Sequence, residues 1–452
     1  MPTNAGVLQN TVEPGSYDAV SGWINNIKFN TDPYYYLNNV PAGAEAVFIK
    51  TPKEGAPSSF ALVDRDFKMP MVWRTSVGAD YKIPNSPFVL TGDFLYTKDI
   101  NAVFQLGANR RTPNTFLNYG SSGEEGDYGD NRAFYPAGVN GSAYNSKIGA
   151  NNATVLTNTN VKGHAVSATL GLSVPNYKGL SGSVFYNYAS AKEVSANAGS
   201  SASSAWGGSA TVNGPNDQIL HPSAFAIPHR VMAHLSYRLE YANHLATTVG
   251  VYYNGSSQGR FSYTYYSDIN RDGQNADLIY LPKNLNSLTF VDRVDASGKV
   301  LFTAAQQAEA LEKFVKDNGL EKYQGKYLPR NGFMMPWLNR FDVKVLQDIF
   351  TNIGGRKNSL QLSLDVINFG NLLNKNWGIQ SRLNNGQLLY GNKMVPGVSG
   401  GKPVLNTANT PTTGIPEFNM NVVNGELPTT PFQNVSTLGT TWQMQLGVRY
   451  TF

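Results

Sequence analysis

Along the C-terminal segment, Trp442, Met444, Leu446, Val448, Tyr450 and Phe452 alternate with Thr441, Gln443, Gln445, Gly447, Arg449 and Thr451. A β-strand sends successive side chains to opposite faces, so this period of two gives one apolar face and one polar face. The alternation recurs at Phe88, Leu90, Gly92, Phe94 and Tyr96, with Thr91, Asp93 and Thr97 opposite, and again at Val231, Ala233, Leu235, Tyr237 and Leu239. Nine strands are expected, near 71–82, 86–99, 161–174, 178–190, 229–241, 244–255, 338–350, 357–368 and 442–452. The first eight pair through tight turns marked by Pro84 to Pro87, by Pro175 and Asn176, by Asn243 and His244, and by Asn352, Gly354 and Gly355. Between the pairs run links of roughly 40 to 80 residues, far longer than the connections of a compact domain. Short and long links therefore alternate, as periplasmic turns and extracellular loops do in outer-membrane barrels. The expected fold class is all-β: an antiparallel transmembrane β-barrel, present as the C-terminal strands of a larger barrel, with long extracellular loops. A soluble β-sandwich also alternates along its half-buried strands and is the competing fold.

Composition bears on that choice. Charged residues make up 15% of the chain, against roughly 25% in soluble domains. With 25 Tyr, 22 Phe and 44 Gly, the sequence is rich in strand and turn formers. The net charge of +5 arises from 36 basic residues scattered among 31 acids, so no basic patch calls for a nucleic-acid partner. The absence of cysteine excludes disulfides, thiolate nucleophiles and cysteine-held zinc. Met1 to Asn10 has neither the basic nor the apolar region of a signal peptide. No apolar run reaches the length of a transmembrane helix, a test that alternating barrel strands escape.

The long links carry loop chemistry: glycine and acid at Gly120 to Asp130, Ser, Ala and Gly at Gly199 to Gly214, and Thr, Asn and Pro at Thr407 to Pro416. One helix is expected from the capping pair Thr303 and Gln306, with Ala304, Ala308, Leu311 and Val315 on one stripe and Asn318-Gly319 as the stop. Trp73, Trp442, Tyr81, Tyr96, Tyr241 and Tyr450 fall near strand ends, where interfacial girdles sit.

Few residues suggest chemistry. Asp268, Asn270, Asp272 and Asp277 space oxygens around Gly273 as the first half of a calcium loop does, which makes them candidate ligands for a structural calcium. Ile279 stands where an EF-hand needs its bidentate Glu, so an Asx-rich turn is the plainer reading. His164, His221, His229, His234 and His244 show no HExxH spacing, and no GxSxG elbow is present, so no catalytic residues are assigned and no enzyme is expected. His234 is expected to line a lumen. Arg74, Lys344 and Arg449 lie on polar strand faces, where pairing with carboxylates or water is the ordinary reading. Glu124, Glu125, Asp127 and Asp130 read as a solvated loop, with repelling or ligating ions as the alternative. Tyr34, Tyr35, Tyr36 and Trp206 could stack on a ligand, but loop packing is the commoner role.

Several blocks resemble the barrel of Oar-like TonB-dependent receptors: Phe67 to Lys82 (FKMPMVWRTSVGADYK), Tyr96 to Phe104 (YTKDINAVF), Tyr266 to Pro282 (YSDINRDGQNADLIYLP), Asp365 to Gly378 (DVINFGNLLNKNWG) and Trp442 to Phe452 (WQMQLGVRYTF). The resemblance runs from about residue 67 onward. It implies residues 67–452 as the C-terminal portion of the barrel and 1–66 as an N-terminal remnant, an extracellular loop with a weak strand. It further implies a cell outer-membrane location, lipid around the wall, and a TonB system acting through a plug domain that is not recognisable in this sequence. Trp442 to Phe452 would be read by the outer-membrane assembly machinery. The implied activity is energised uptake of a bulky nutrient such as a siderophore, peptide or oligosaccharide. A passive pore, a surface adhesin barrel and a soluble β-rich binding module are the other readings. Nine strands cannot close without a parallel seam unless a tenth comes from the N-terminal region, where Glu45 to Lys50 and Ser59 to Val63 are weak candidates, so the chain is expected to be part of a larger wall.

Overall fold

The computed structural model describes residues 59–113, 129–135, 152–353, 356–393 and 417–452, with a few short stretches and single positions outside these ranges. Nine long strands form one antiparallel meander: β1 (Met71–Lys82), β2 (Val89–Gly107), β3 (His164–Tyr177), β4 (Leu180–Glu193), β5 (His229–Tyr241), β6 (Leu245–Ser257), β7 (Trp337–Ile353), β8 (Arg356–Ile367) and β9 (Gln443–Thr451). Each pairs with its sequence neighbours. The protein is all-β in character, and the sheet is open, with β1 and β9 at its two edges among the described residues.

All nine expected strands are present. β2 runs on to Gly107 because its end, Ala102 to Gly107, pairs with a loop strand, Asn152–Thr159. Ser59–Val63 is a strand, but it lies parallel to Asn152–Thr159 and closes neither edge of the sheet. Glu45 to Lys50 lies outside the described residues. One turn sits a few residues from its expected place: Lys178 (φ 52°) and Gly179 (φ 86°), rather than Pro175 and Asn176, link β3 to β4. Asn243 (φ 59°) and His244 lie in the turn from β5 to β6 as expected, with Ala242 (φ 52°) before them. Two successive positive φ values match the right-handed twist of the flanking strands. Pro175 and Asn176 instead occupy a register shift between Val174 and Tyr177, where Pro175 has no N–H to offer the ladder.

The register puts one apolar face across the whole sheet. Reading from β1 to β9, Val77 lies opposite Phe94, Phe94 opposite Ala168, Leu235 opposite Val251, Val251 opposite Val343, Val345 opposite Leu364, and Leu364 opposite Leu446. This face is open rather than packed: Val77 is 66% exposed, Leu235 55% and Leu446 77%. Apart from the short helix Phe369–Leu373 against β7, no second sheet or helical layer covers it among the described residues, as a sandwich would require. β1 has 12 residues, β3 and β4 have 14, and β5 and β6 have 13, beyond the roughly 9–11 a tilted strand needs to cross hydrocarbon.

The core lies elsewhere. All four long links leave the same end of the sheet, and Phe134, Tyr265, Ile279, Leu311, Phe314, Leu328, Leu389 and Phe418 from three of them bury one another. A small mixed sheet of Thr264–Tyr265, Gln387–Lys393, Glu417–Met420 and Thr289–Phe290 frames this core. Against it packs the helix Ala304–Asp317, with Thr303 and Gln306 forming the expected capping box and Asn318 its C-cap. The buried stripe of the helix is Gln307, Leu311, Phe314 and Val315, so Ala308 faces outward. Gln307 displaces it because its amide bonds the carbonyls of Val291, Phe302 and Thr303 while its oxygen accepts from Met420 N and Asn419 Nδ2. The second link, the remaining one, joins through Thr211, whose N–H donates to Ala276 O and whose carbonyl accepts from Leu278 N. The links thus form a folded cap over one end of the wall.

Candidate functional site

Two regions concentrate polar chemistry: an ionic cluster inside the cap and the polar face of the wall. In the cap, Asp268 to Asp277 forms a tight turn. Asp268 accepts from Asp272 N (2.9 Å) and Gly273 N (2.6 Å), Asn270 Oδ1 from Asp272 N (3.0 Å), Asp272 from Gln274 N (2.8 Å), and Asp277 from Ile269 N (2.9 Å). Gly273 sits at φ 87°, where a side chain would be strained. The four residues singled out in the sequence are therefore together, and they spend much of their oxygen on backbone N–H groups, as Asx turns do.

Two arginines enter this turn from the first long link. Arg110 pairs with Asp272 at 3.3 Å, and its Nη1 also donates to Asp272 O. The rings of Tyr144 and Trp206 flank its guanidinium at 4.9 and 5.0 Å. Trp206 is buried and serves loop packing, with Nε1 donating to Asn216 Oδ1. Arg132 is fully buried, 2.9 Å from Asp130 and 3.6 Å from Asp277, and its Nη2 donates to Leu278 O at 2.7 Å. Asp130 is likewise buried and accepts from Tyr327 Oη, contrary to the expectation of a solvated loop. A carboxylate can be withdrawn from water in this way when a guanidinium meets it. Glu124, Glu125 and Asp127 lie outside the described residues.

Burial raises the carboxyls of Asp268, to about 6, of Asp272, and most of all of Asp277; Arg110 opposes the rise at Asp272 and Arg132 opposes it at Asp277. Among the described residues no three acidic or histidine side chains converge as a metal cluster. Within this cluster, the buried side-chain atoms without an aligned hydrogen-bond partner, Asn270 Nδ2, Arg110 Nη2 and Arg132 Nη1, are all donors. Calcium needs oxygen acceptors. The donor set therefore fits a cation poorly, the two guanidiniums standing where its charge would be.

On the sheet, the polar face pairs its own charges between strands, from β5 across β6 to β7 and between neighbours β7 and β8. Arg238 meets Asp348 at 2.6 Å, where Gln361 also donates, and Lys344 meets Asp365 at 3.0 Å. Arg74 lies beside Thr97, and Arg449 stands opposite Gln361. His234 lies on this face with Ser236, Tyr252 and Lys344 around a cleft of about 340 Å³. His229 sits on the other face, its Nδ1 2.6 Å from Tyr186 Oη. His221, in the cap, is held neutral near pH 7, its pKa depressed to about 4 by burial and then by Arg330.

Arg110 and Arg132 are missed in the sequence, and so is the burial of Asp130. Asp272, Asp277, Leu278 and Tyr327, which meet them, are far away in the chain, and the alternation Asp130-Asn131-Arg132 gives no sign of burial. No known family model matches the chain, and no curated protein matches it.

Proposed function

We propose that this chain is part of the wall, and the extracellular cap, of an outer-membrane transporter of the TonB-dependent type, serving energised uptake of a bulky nutrient. Lipid surrounds the wall, a plug domain carries the TonB contact, and Trp442 to Phe452 is the segment read by the assembly machinery. The single observation that carries the reading is the exposed apolar face running unbroken across nine neighbouring strands whose opposite face is polar. In water such a surface is a liability far larger than the few hundred Å² a monomer normally exposes; in a bilayer it is what a barrel wall presents. The one-sided loops with a core of their own support the reading of a substrate-meeting cap.

The test starts with the native host. The protein is expected in the outer-membrane fraction, with heat-modifiable migration and with protease on intact cells cutting within 258–336 while sparing Ala242-Asn243. Recovery in the soluble fraction would overturn the membrane reading. Co-purification with TonB separates the energised transporter from a passive pore or an adhesin barrel, neither of which needs that contact.

A further inference from the structure

Just past β8 the chain folds back onto the apolar face of the wall instead of joining the cap. Asn368 takes a left-handed conformation (φ 54°) and starts the short helix Phe369–Leu373, which packs against β7. Buried Asn368 ties this turn down, its Nδ2 donating to Gly378 O (3.1 Å) and Thr440 O (2.9 Å). Buried Asn371 does the same, donating to Lys375 O and Trp377 O at 3.0 Å and accepting from Trp442 N at 3.1 Å. Yet the turn presents large apolar groups outward: Leu373 is 64% exposed, Trp377 57%, and Leu438 on the adjoining turn 85%. Side chains held out by so many internal bonds are not loose ends. Their exposure is built.

Between this turn and the wall lies a cleft of about 510 Å³ lined by Tyr253, Trp337, Asn339, Phe341 and Trp377. Tyr253 and Phe341 belong to the apolar wall face, so the cleft is continuous with it. Among the described residues no charged side chain lines it. Two of its aromatic polar atoms are already used: Tyr253 Oη donates to Asn339 Oδ1 at 2.7 Å and Trp337 Nε1 to the same oxygen at 3.0 Å. A carbohydrate needs free donors and acceptors at its hydroxyls, whereas an alkyl chain needs only the ring faces left open.

We propose that this rim is a lipid anchor, with the cleft taking one acyl chain of an outer-leaflet lipid and Leu373, Trp377 and Leu438 seated in the leaflet around it. The inference rests on the wall reading proposed above. It fixes the height of the wall in the bilayer at β6 and β7 and holds the start of the last long link to the membrane surface.

The test uses protein extracted from its native membrane and placed in nanodiscs of phosphatidylcholine carrying bromine either high or low on the acyl chains. Tryptophan fluorescence is read for the native protein, for Trp337→Phe with Trp377→Phe, and for Trp73→Phe on β1 at the opposite edge. Heat-modifiable migration verifies that each wall is intact. The double variant should lose the larger part of the quenching by bromine placed high, and Trp73→Phe a separate portion. If Trp73 contributes quenching but the double variant matches native protein, the anchor is overturned while the wall reading stands. If no tryptophan is quenched by either lipid, the wall reading fails and the anchor with it.

Discussion

Arg132 and Asp130 hold each other at 2.9 Å with neither side chain reaching solvent. Asp277 approaches the same guanidinium from a different long link, so the pair joins the first link to the third. Removing one member of a buried ion pair strands the other charge and costs about 3–5 kcal/mol. Arg132→Met is therefore expected to loosen the cap while leaving the wall assembled. Hydrogen exchange within 258–336 should rise steeply, with β5 and β6 unchanged; equal protection of the cap in variant and native protein would contradict this role.

The same cluster sets a pH dependence. Burial raises Asp268 from 3.8 to about 6, with the charge of Asp272 adding to the rise. The folded cap thus binds this proton more tightly than the unfolded chain, so the stability it contributes is fully present below about 4 and is lost as pH climbs through about 6. Asp272 and Asp277 shift in the same direction. The cap should resist protease better near pH 5 than near pH 7.5, by on the order of 1–2 kcal/mol in local stability. Asp268→Asn should flatten the profile. A cap that weakens on acidification over that interval would show that the arginine pairs dominate instead.

Chelation separates arginine neutralisation from a metal. With Arg110 on Asp272 and Arg132 on Asp277, EDTA is expected to leave the protease resistance of 258–336 unchanged, whereas Asp272→Ala, which strands Arg110, should lower it. Loss of resistance in EDTA matching that of Asp272→Ala would return Asp268, Asn270, Asp272 and Asp277 to the role of calcium ligands.

The wall was legible because its information is local. Period two and tight turns place Met71–Lys82 and His229–Tyr241 to the residue, and the capping pair Thr303 and Gln306 places the loop helix. What failed was set by partners that the local pattern does not reveal. β2 outgrows its expected end because Asn152–Thr159 pairs with it, Ala308 yields the helix face to Gln307 because Asn419 and Met420 meet that amide, and Asp130 is buried because Arg132 neutralises it. The oxygens of Asp268 to Asp277 were visible as a spacing, but not the guanidiniums that occupy them.

At the C-terminus Phe452 is exposed and stacks on Tyr450 with centroids 5.9 Å apart, continuing the apolar face of β9. An aromatic on the outward face of this strand fits the assembly segment proposed above. Phe452→Asp is expected to cut outer-membrane levels severely, with the protein accumulating in the periplasm or degraded. Normal surface levels of this variant would remove that role.

The central claim is that one face of the nine-stranded sheet meets lipid. The chain has no cysteine, so a single cysteine can be placed and spin-labelled at each position from Met232 to Leu239 without background. In reconstituted protein, labels at 233, 235, 237 and 239 should collide with oxygen dissolved in the bilayer and be shielded from a water-soluble relaxation agent, while labels at 232, 234, 236 and 238 show the reverse or are shielded from both. Accessibility that fails to alternate along β5, or an apolar face open to the aqueous agent, would contradict the account.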